Sequence, residues 1–478
     1  MQNKFSDNDY PLVVDLDGTL INTDLLYEGF ILLLKKNLFY VFPCFLWLLK
    51  GKAYLKNKIV GIVQIPSALL PYNETLLEFL NKEHTNGRKL VLATASPIAN
   101  AIEIATVHPI FSEVYGTTET VNLKGKAKLK ELVSRFGEKG FDYIGNSQSD
   151  LVIFASSRYS YLVNPSALLE SRTKKISDLK YTWNIKKTSL KEYIKAIRAY
   201  QWIKNTLIFV PLITSHSISS TKLLTLAIGA FAAFSMIASA GYLINDLLDL
   251  NSDRAHPRKR FRPMASGKMS ILSGIILAFI LLAGGILLAS KLSFLFLIVV
   301  VFYFIASFTY SMFFKKIVLY DVFILALLYS TRVFAGGIVT DVPLSFWLIA
   351  FSTFIFLSLA FVKRYSELAQ VTGETGLKSR GREYFTEDIH LLQIMGIASG
   401  FMSVIVFSLY INSPEVIELY SKPKILWAIS LLFLFWISRI WLITSRGKMT
   451  DDPIVFALKD VTSYFIFLLV GLIVFVSI

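Results

Sequence analysis

Cysteine is almost absent from this chain: Cys44 is the only one in 478 residues. No intrachain disulfide can form, so the fold rests on burial and polar pairing. Cys44 itself is read as a small packing residue. Histidine is scarce (five), and no Cys/His cluster exists that could build a structural zinc site. The first residues, MQNKFSDNDY, lack the charged and apolar regions of a secretory signal. The segment that follows them is therefore expected to stay in the cytosol. Acidic residues are outnumbered, 34 against 49 Lys and Arg, for a formal net charge of +15. There is no internal repeat and no low-complexity tract.

What the chain has is apolar length. Hydrophobic residues make up 54% of it, in runs long enough to cross a bilayer. Nine such spans are expected, at 206–221, 223–244, 271–289, 292–314, 317–340, 342–362, 391–411, 425–443 and 461–478. With residue 1 in the cytosol and the spans alternating, the inside loops hold sixteen Lys/Arg and the outside loops four. The positive charge thus follows the positive-inside rule and points to an inner or plasma membrane, not to nucleic acid. The first 170 or so residues are of mixed polarity and predict a separate soluble domain.

Three stretches of that domain share a design. Residues 11–24 read PLVVDLDGTLINTD, where a β-type run, Leu12–Val14, ends in Asp15, Asp17, Gly18 and Thr19. KLVLATAS ends near Thr94, and FDYIGNSQSD ends at Gly145 and Asn146, with Asp150 beyond. Between them NLKGKAKLKEL opens a lysine-rich helix in which Lys124, Lys126 and Lys128 compete for one role. Lys124 and Lys128 would share a helix face and are the favoured pair. Strand–helix alternation predicts a parallel α/β sheet that presents ligand-binding residues at the carboxyl ends of its strands. Two carboxylates two residues apart can divide attack on phosphorus from proton handling.

These motifs resemble the haloacid dehalogenase phosphatase superfamily, whose first motif is DxDGT, over roughly residues 10–165. The resemblance implies a Rossmann-like domain over 1–170 with Asp15 as nucleophile and Asp17 as acid/base. Thr94 and a lysine, Lys124 or Lys128, would bind phosphate. Asp15, Asp17, Asn146 and Asp150 would surround Mg²⁺; the family usually has Asp where Asn146 stands. An insertion at about 22–75 corresponds to a helical cap. Its apolar, lysine-studded run, FILLLKKNLFYVFPCFLWLLKGKAYLKNKI, is too short between charges to span. It could lie on the bilayer or pack its own core. Residues 171–204, basic and aromatic, predict an interfacial helix.

A second cluster follows an uncharged run. GYLINDLLDLNSDRAHPRKRFRPMASG, residues 241–267, has three aspartates and then five Lys/Arg within nine residues. Asp246, Asp249 and Asp253 are spaced i, i+3, i+7, which would place three carboxylates on one helix face beside Asn245. Carboxylates for a metal and cations (Lys259, Arg260, Arg262) for an anion describe a Mg²⁺–diphosphate site. Here the chain resembles the UbiA family of membrane prenyltransferases, a nine-helix bundle carrying NDxxDxxxD, over about 190–478. More narrowly it resembles the polyprenyl-phosphate phosphoribosyltransferase branch. The matching pieces include AYQWIKN, YSMFFKKIVLYDV, TRVFAGG, LAFVKRYSEL and DDPIVFALKD. Prenyl-diphosphate users carry a second motif, DxxxD; this chain has Asp321 but Leu325 four residues on.

The resemblance implies transfer of 5-phosphoribosyl from phosphoribosyl pyrophosphate to a polyprenyl phosphate in the transmembrane domain, 205–478. Mg²⁺ would sit on Asp246, Asp249 and Asp253. Lys204, Lys259, Arg260, Arg262, Lys363 and Arg364 would meet phosphates. Asp321 and Arg332, three turns apart, are expected to share a face of one span and line its cavity. The soluble domain would then remove the 5-phosphate. Two alternatives stay open: an aromatic prenyltransferase fused to an unrelated phosphatase, and a non-catalytic lipid-binding scaffold. A homo-oligomer is equally open.

Overall fold

A computed structural model of the chain describes residues 9–184, 189–370, 382–449, 452–457 and 459–478. It divides into two compact units: residues 1–197 with 242–278, and residues 198–241 with 279–478. The division is not a single cut near residue 205, because the aspartate-rich segment groups with the N-terminal residues.

The first unit is built on six parallel strands: β1 (Leu12–Val14), β2 (Leu90–Pro97), β3 (Glu113–Thr117), β4 (Asp142–Gly145), β5 (Tyr159–Val163) and β6 (Asp178–Trp183). Their order in the sheet is β3-β2-β1-β4-β5-β6. β1 pairs with β2 and β4, Val13 opposite Val91 on one side and Tyr143 on the other. A central parallel strand is covered on both faces and so reads as an unbroken apolar run. Leu12 and Val14 join one core with Leu90, Leu92 and Ile144, while Val13 joins the other with Val91 and Tyr143.

Between β1 and β2 lie α1 (Leu25–Lys36), α2 (Val41–Leu49), α3 (Lys52–Val60) and α4 (Glu74–Thr85). Beyond β2 come α5 (Ile98–Val107), α6 (Lys126–Phe136), α7 (Leu151–Ser156) and α8 (Ala167–Ile176). The interfacial helix expected from residue 171 starts later than predicted. Residues 171–176 finish α8, and 178–183 form the edge strand β6, which keeps its lysine exposed and packs Trp183 on Phe79 and Tyr161. Solvated edge strands tolerate such charges, which is why the stretch resembled a linker. The expected interfacial helix is reduced to Leu190–Ala196, and residues 185–188 lie outside the described residues.

Among the described residues seven helices are long and apolar enough to cross a membrane: Thr221–Leu248, Ile271–Leu292, Phe294–Met312, Tyr320–Thr340, Phe346–Ala369, Thr386–Ile411 and Pro423–Ser445. Two of the nine expected spans are built differently. Residues 206–221 are broken into short pieces, Ala199–Phe209, Val210–Thr214 and Ser217–Ser219, around Pro211 and a left-handed His216 (φ 54°). Val461–Ser477 is one helix of 17 residues. In the second unit the Tyr320–Thr340, Phe346–Ala369, Ile389–Ile411 and Trp427–Ser445 helices share an apolar core around Phe361, Ile437 and Trp441.

Candidate functional sites

The first site lies at the carboxyl ends of β1, β2 and β4, where a parallel sheet leaves its loops free to carry polar groups. Asp15 closes β1, and Lys128 of α6 donates to its Oδ1 at 2.7 Å. The lysine is buried, and it also reaches the Tyr143 hydroxyl at 3.1 Å. Lys124 is not its partner. α6 begins only at Lys126, so the shared-face argument failed at its first turn, and Lys124 stays exposed. Burial pushes the Asp15 carboxyl up, with Lys128 opposing. Asp17 accepts from the Leu25 N–H (2.9 Å) and the Ser96 hydroxyl (2.6 Å). Burial and then Asp24 push its carboxyl up to about 7, against those hydrogen bonds. A carboxyl that keeps its proton near neutrality suits an acid/base.

Gly18 holds the turn just after Asp17 at φ +73°, where a Cβ would lie 2.1 Å from Asn146 Nδ2. The Asn146 amide therefore sits directly over the DxDGT loop. Thr94 is fully buried, and its hydroxyl accepts from the Ser96 N–H at 3.0 Å. Asp150 is buried at the next helix start, where its Oδ2 accepts from the Ser147 N–H and hydroxyl. Tyr143 donates to its Oδ1 at 3.3 Å.

Ser96, Tyr143 and Lys56 were missed as site residues. Lys56, on α3, donates to the Ala95 carbonyl at 2.6 Å, and burial lowers its ammonium pKa. The lysines of the cap sequence were visible; their approach to β2 was not. The donors gathered here are hard oxygens, as Mg²⁺ requires. Asp15, the Asp17 carbonyl, Asn146 and Asp150 are the residues that would hold it.

The second cluster is in the same unit. The long helix ends at Leu248, Asp249 stands between it and the short Leu250–Arg254 helix, and the regular i, i+3, i+7 face is broken there. Asp246 and Asp253 are both buried and both accept from Arg262 Nη1, at 3.0 and 2.6 Å. Asp249 instead lies part-exposed, 3.4 Å from Lys35 Nζ on α1. Among the described residues no three carboxylate or imidazole groups form a metal cluster. The Asn245 and Asn251 side-chain oxygens are buried without a hydrogen-bond partner among the described residues. Asp246, Asp253 and the neighbouring Asn245 offer the hard oxygens that Mg²⁺ takes, with Arg262 standing between the carboxylates. Lys259 and Arg260 are exposed beside it.

Arg254 does something the sequence did not reveal. It forms a two-point pair with Glu28 of α1, at 2.6 and 3.1 Å, and donates through Nε to the Ala265 carbonyl. Thr23 donates to Glu28 Oε1 at 2.6 Å. Gly267 comes close enough that a Cβ would lie 2.6 Å from Asn22 Cβ. The aspartate segment and the residues just after the DxDGT motif are thus packed together.

In the second unit Lys204 is buried against Asp452, which also accepts from the Tyr329 hydroxyl (2.9 Å) and lies 3.8 Å from Lys363. Burial pushes the Lys204 ammonium down to about 8, with Asp452 opposing. Burial also opposes ionisation of Asp452, but Lys204 and Lys363 outweigh it and hold the carboxyl well below its ordinary range. Asp452 was overlooked although DDPIVFALKD was visible.

Asp321 and Arg332 do not meet. Eleven residues along a helix separate them by about 16 Å. Arg332 is held by Asn205 Oδ1 (2.9 Å) and the Tyr303 hydroxyl (3.0 Å). Asp321 is fully buried between Arg364 Nε (2.6 Å), Arg382 Nη1 (3.1 Å) and the Tyr384 hydroxyl (2.7 Å). Arg364 is further engaged by Glu367.

Residues 206–459 match the model of the UbiA prenyltransferase family. The chain belongs to the UbiA family. The chain is 34% identical to uncharacterized protein y4nM of Sinorhizobium fredii, over 96% of this chain and 89% of that one. It is 32% identical to decaprenyl-phosphate phosphoribosyltransferase of Mycolicibacterium smegmatis, over 58% of this chain and 88% of that one. A solved UbiA homologue from Archaeoglobus fulgidus, bound to GPP and Mg²⁺, aligns at 15% identity and a TM-score of 0.45, covering 59% of this chain and 99% of that one. A substrate-bound phosphoserine phosphatase aligns at 15% identity and a TM-score of 0.28, over 40% of this chain and 99% of that one. The chain's own structure shows, in the first unit, a six-stranded parallel α/β sheet with a buried Asp15–Lys128 pair at its carboxyl edge.

Proposed function

We propose that the chain is a bifunctional membrane enzyme that transfers 5-phosphoribosyl from phosphoribosyl pyrophosphate to a polyprenyl phosphate and then removes the 5-phosphate. The observation that carries the transfer reading is Asp321. Two arginines and a tyrosine hydroxyl enclose it, so it is committed to structure and does not act as a second metal-binding motif. That favours a phosphoribosyl donor over a prenyl diphosphate with an aromatic acceptor, in agreement with the mycobacterial relative.

In the transfer, a lipid phosphate oxygen bonds to the anomeric carbon while the bond from that carbon to diphosphate breaks. The nucleophile is already an anion and needs no base, so catalysis is positioning and charge neutralisation. Asp246, Asp253 and Asn245 are assigned to Mg²⁺, which would neutralise the leaving diphosphate, while Asp249 is turned to Lys35. Arg262, Lys259 and Arg260 are assigned to its oxygens. Within the second unit Lys204 and Lys363, oriented by Asp452, are the phosphate-binding candidates. Arg332 is assigned to positioning Asn205, and Arg364 to holding Asp321.

In the second step Asp15 attacks the 5-phosphate and the bond from phosphorus to the ribose oxygen breaks. Asp17 gives its proton to that oxygen. Water then cleaves the aspartyl phosphate, with Asp17 taking up a proton. Lys128 and Thr94 hold the phosphoryl oxygens. Mg²⁺ on Asp15, Asp17, Asn146 and Asp150 would lower the charge repulsion between carboxylate and phosphate. Both sites are assigned to the cytosolic side, on the Lys/Arg asymmetry of the loops.

The test is product analysis with Asp15→Asn. Given phosphoribosyl pyrophosphate and a polyprenyl phosphate, wild type should yield lipid-linked ribose, diphosphate and phosphate. The variant should accumulate lipid-linked phosphoribose. Identical phosphorylated products and no phosphate from either protein would show that the domains are not consecutive enzymes.

A further inference from the structure

The cap helix α2 and the turn before it, Leu38–Tyr40, present an apolar surface that the protein does not cover. Phe39, Phe42, Phe45 and Leu49 are 74%, 67%, 64% and 71% exposed. Leu46 and Leu48 are exposed beside them. Cys44 alone of α2 is buried, against Leu33, Leu55 and Ile59. Exposed lysines ring the patch: Lys35 and Lys36 before it, Lys50, Lys52 and Lys58 after it. A contiguous apolar patch of this size on a soluble surface marks a contact.

We infer that α2 lies in the interface of the same bilayer that the chain spans. Two contacts set its level. Lys35 reaches Asp249, the residue directly after Leu248, where a membrane-spanning helix ends. Glu28 grips Arg254, six residues past that end. Leu38 follows Lys35 by three residues, which at full extension span about 10 Å. The apolar patch therefore begins next to the end of a span. At nine residues α2 is about 14 Å long, too short to cross and suited to lying in the headgroup plane with its lysines toward anionic lipid.

The consequence for the phosphatase rests on the reading above. α3 follows α2 after Gly51; its Lys56 donates to the carbonyl of Ala95, which lies between Thr94 and the Ser96 that bonds Asp17, and its Asn57 donates to the Thr118 carbonyl. A cap seated in lipid would hold the phosphatase cleft where a lipid-linked phosphate can enter it.

The experiment uses the full chain in liposomes containing anionic lipid. In a Cys44→Ala background, Phe42→Cys, Phe45→Cys and a control, Glu78→Cys on α4, are labelled with an environment-sensitive dye. Nitroxide-labelled phospholipid should remove at least about half of the fluorescence at Phe42 and Phe45 and little at Glu78. Quenching at Phe45 no greater than at Glu78 would overturn the inference. A blue-shifted but unquenched dye would do the same and would indicate a second copy of the chain on this face. If the alanine background is unstable, the buried Cys44 is kept and its labelling measured alone. As a second readout, Phe42→Ser with Phe45→Ser should slow hydrolysis of the lipid product but not of p-nitrophenyl phosphate. Quenching without hydrolysis of either ester by wild type would sink the phosphatase reading and leave the membrane seat standing.

Discussion

Glu28→Ala is the most informative single change. Glu28 and Arg254 have side chains 1% and 4% exposed and pair at two points. Removing the carboxylate leaves the guanidinium with the Ala265 carbonyl, and the Thr23 hydroxyl loses its acceptor. Breaking a buried pair from one side costs about 3–5 kcal/mol, because the remaining charge is stranded. That is a large share of an ordinary folding stability of about 5–15 kcal/mol. The melting temperature of the first unit should fall by on the order of 10 °C.

The loss should also reach the transferase, since Arg254 adjoins Asp253. Full-length protein in detergent is followed by thermal unfolding, diphosphate release and p-nitrophenyl phosphate hydrolysis. Glu28→Leu with Arg254→Met removes both charges at similar volume and should recover most of the stability. If transfer stays low in that stable double variant, the pair positions the aspartate segment. A Glu28→Ala protein within about 0.5 kcal/mol of wild type, the range of a plain surface change, would refute the argument.

Lys128→Met should reduce phosphate hydrolysis by roughly 10²–10³-fold at saturating Mg²⁺, as loss of one preorganised charge donor does, while diphosphate release stays near wild type. The Asp17 carboxyl is held at about 7 against an ordinary 3.8, so the folded state binds its proton more tightly than the unfolded chain does. In Mg²⁺-free buffer that stabilisation is fully present below the ordinary value and lost as pH rises through about 7. The melting temperature should therefore fall between about pH 4 and pH 7 and level off above that, and Asp17→Asn should flatten the fall. Arg262→Ala leaves Asp246 and Asp253 without their shared cation. The apo protein should melt lower, and added Mg²⁺ should raise its melting temperature more than that of wild type.

The strand ends, seven of the nine expected apolar spans and the presence of the aspartate motif were legible in the sequence, because each is a local pattern with a fixed period or spacing. Leu12–Val14 reads as a buried strand whatever surrounds it, and Asp15 follows it by one bond. The choice between Lys124 and Lys128 was not local, since it depended on where α6 starts, which the turn at Gly125 decides. The three-aspartate face failed for a similar reason, because the helix ends at Leu248, between Asp246 and Asp253. Partners far apart in sequence were beyond any spacing argument. Arg254 meets Glu28 across 226 residues and Lys204 meets Asp452 across 248. A buried charge must find a counter-charge, but the sequence offers dozens and only the packed chain selects one. The sequence thus determined where the long apolar helices lie and which polar residues follow the strand ends. Tertiary packing decided that the cap turns its aromatic face outward, beside the end of a span.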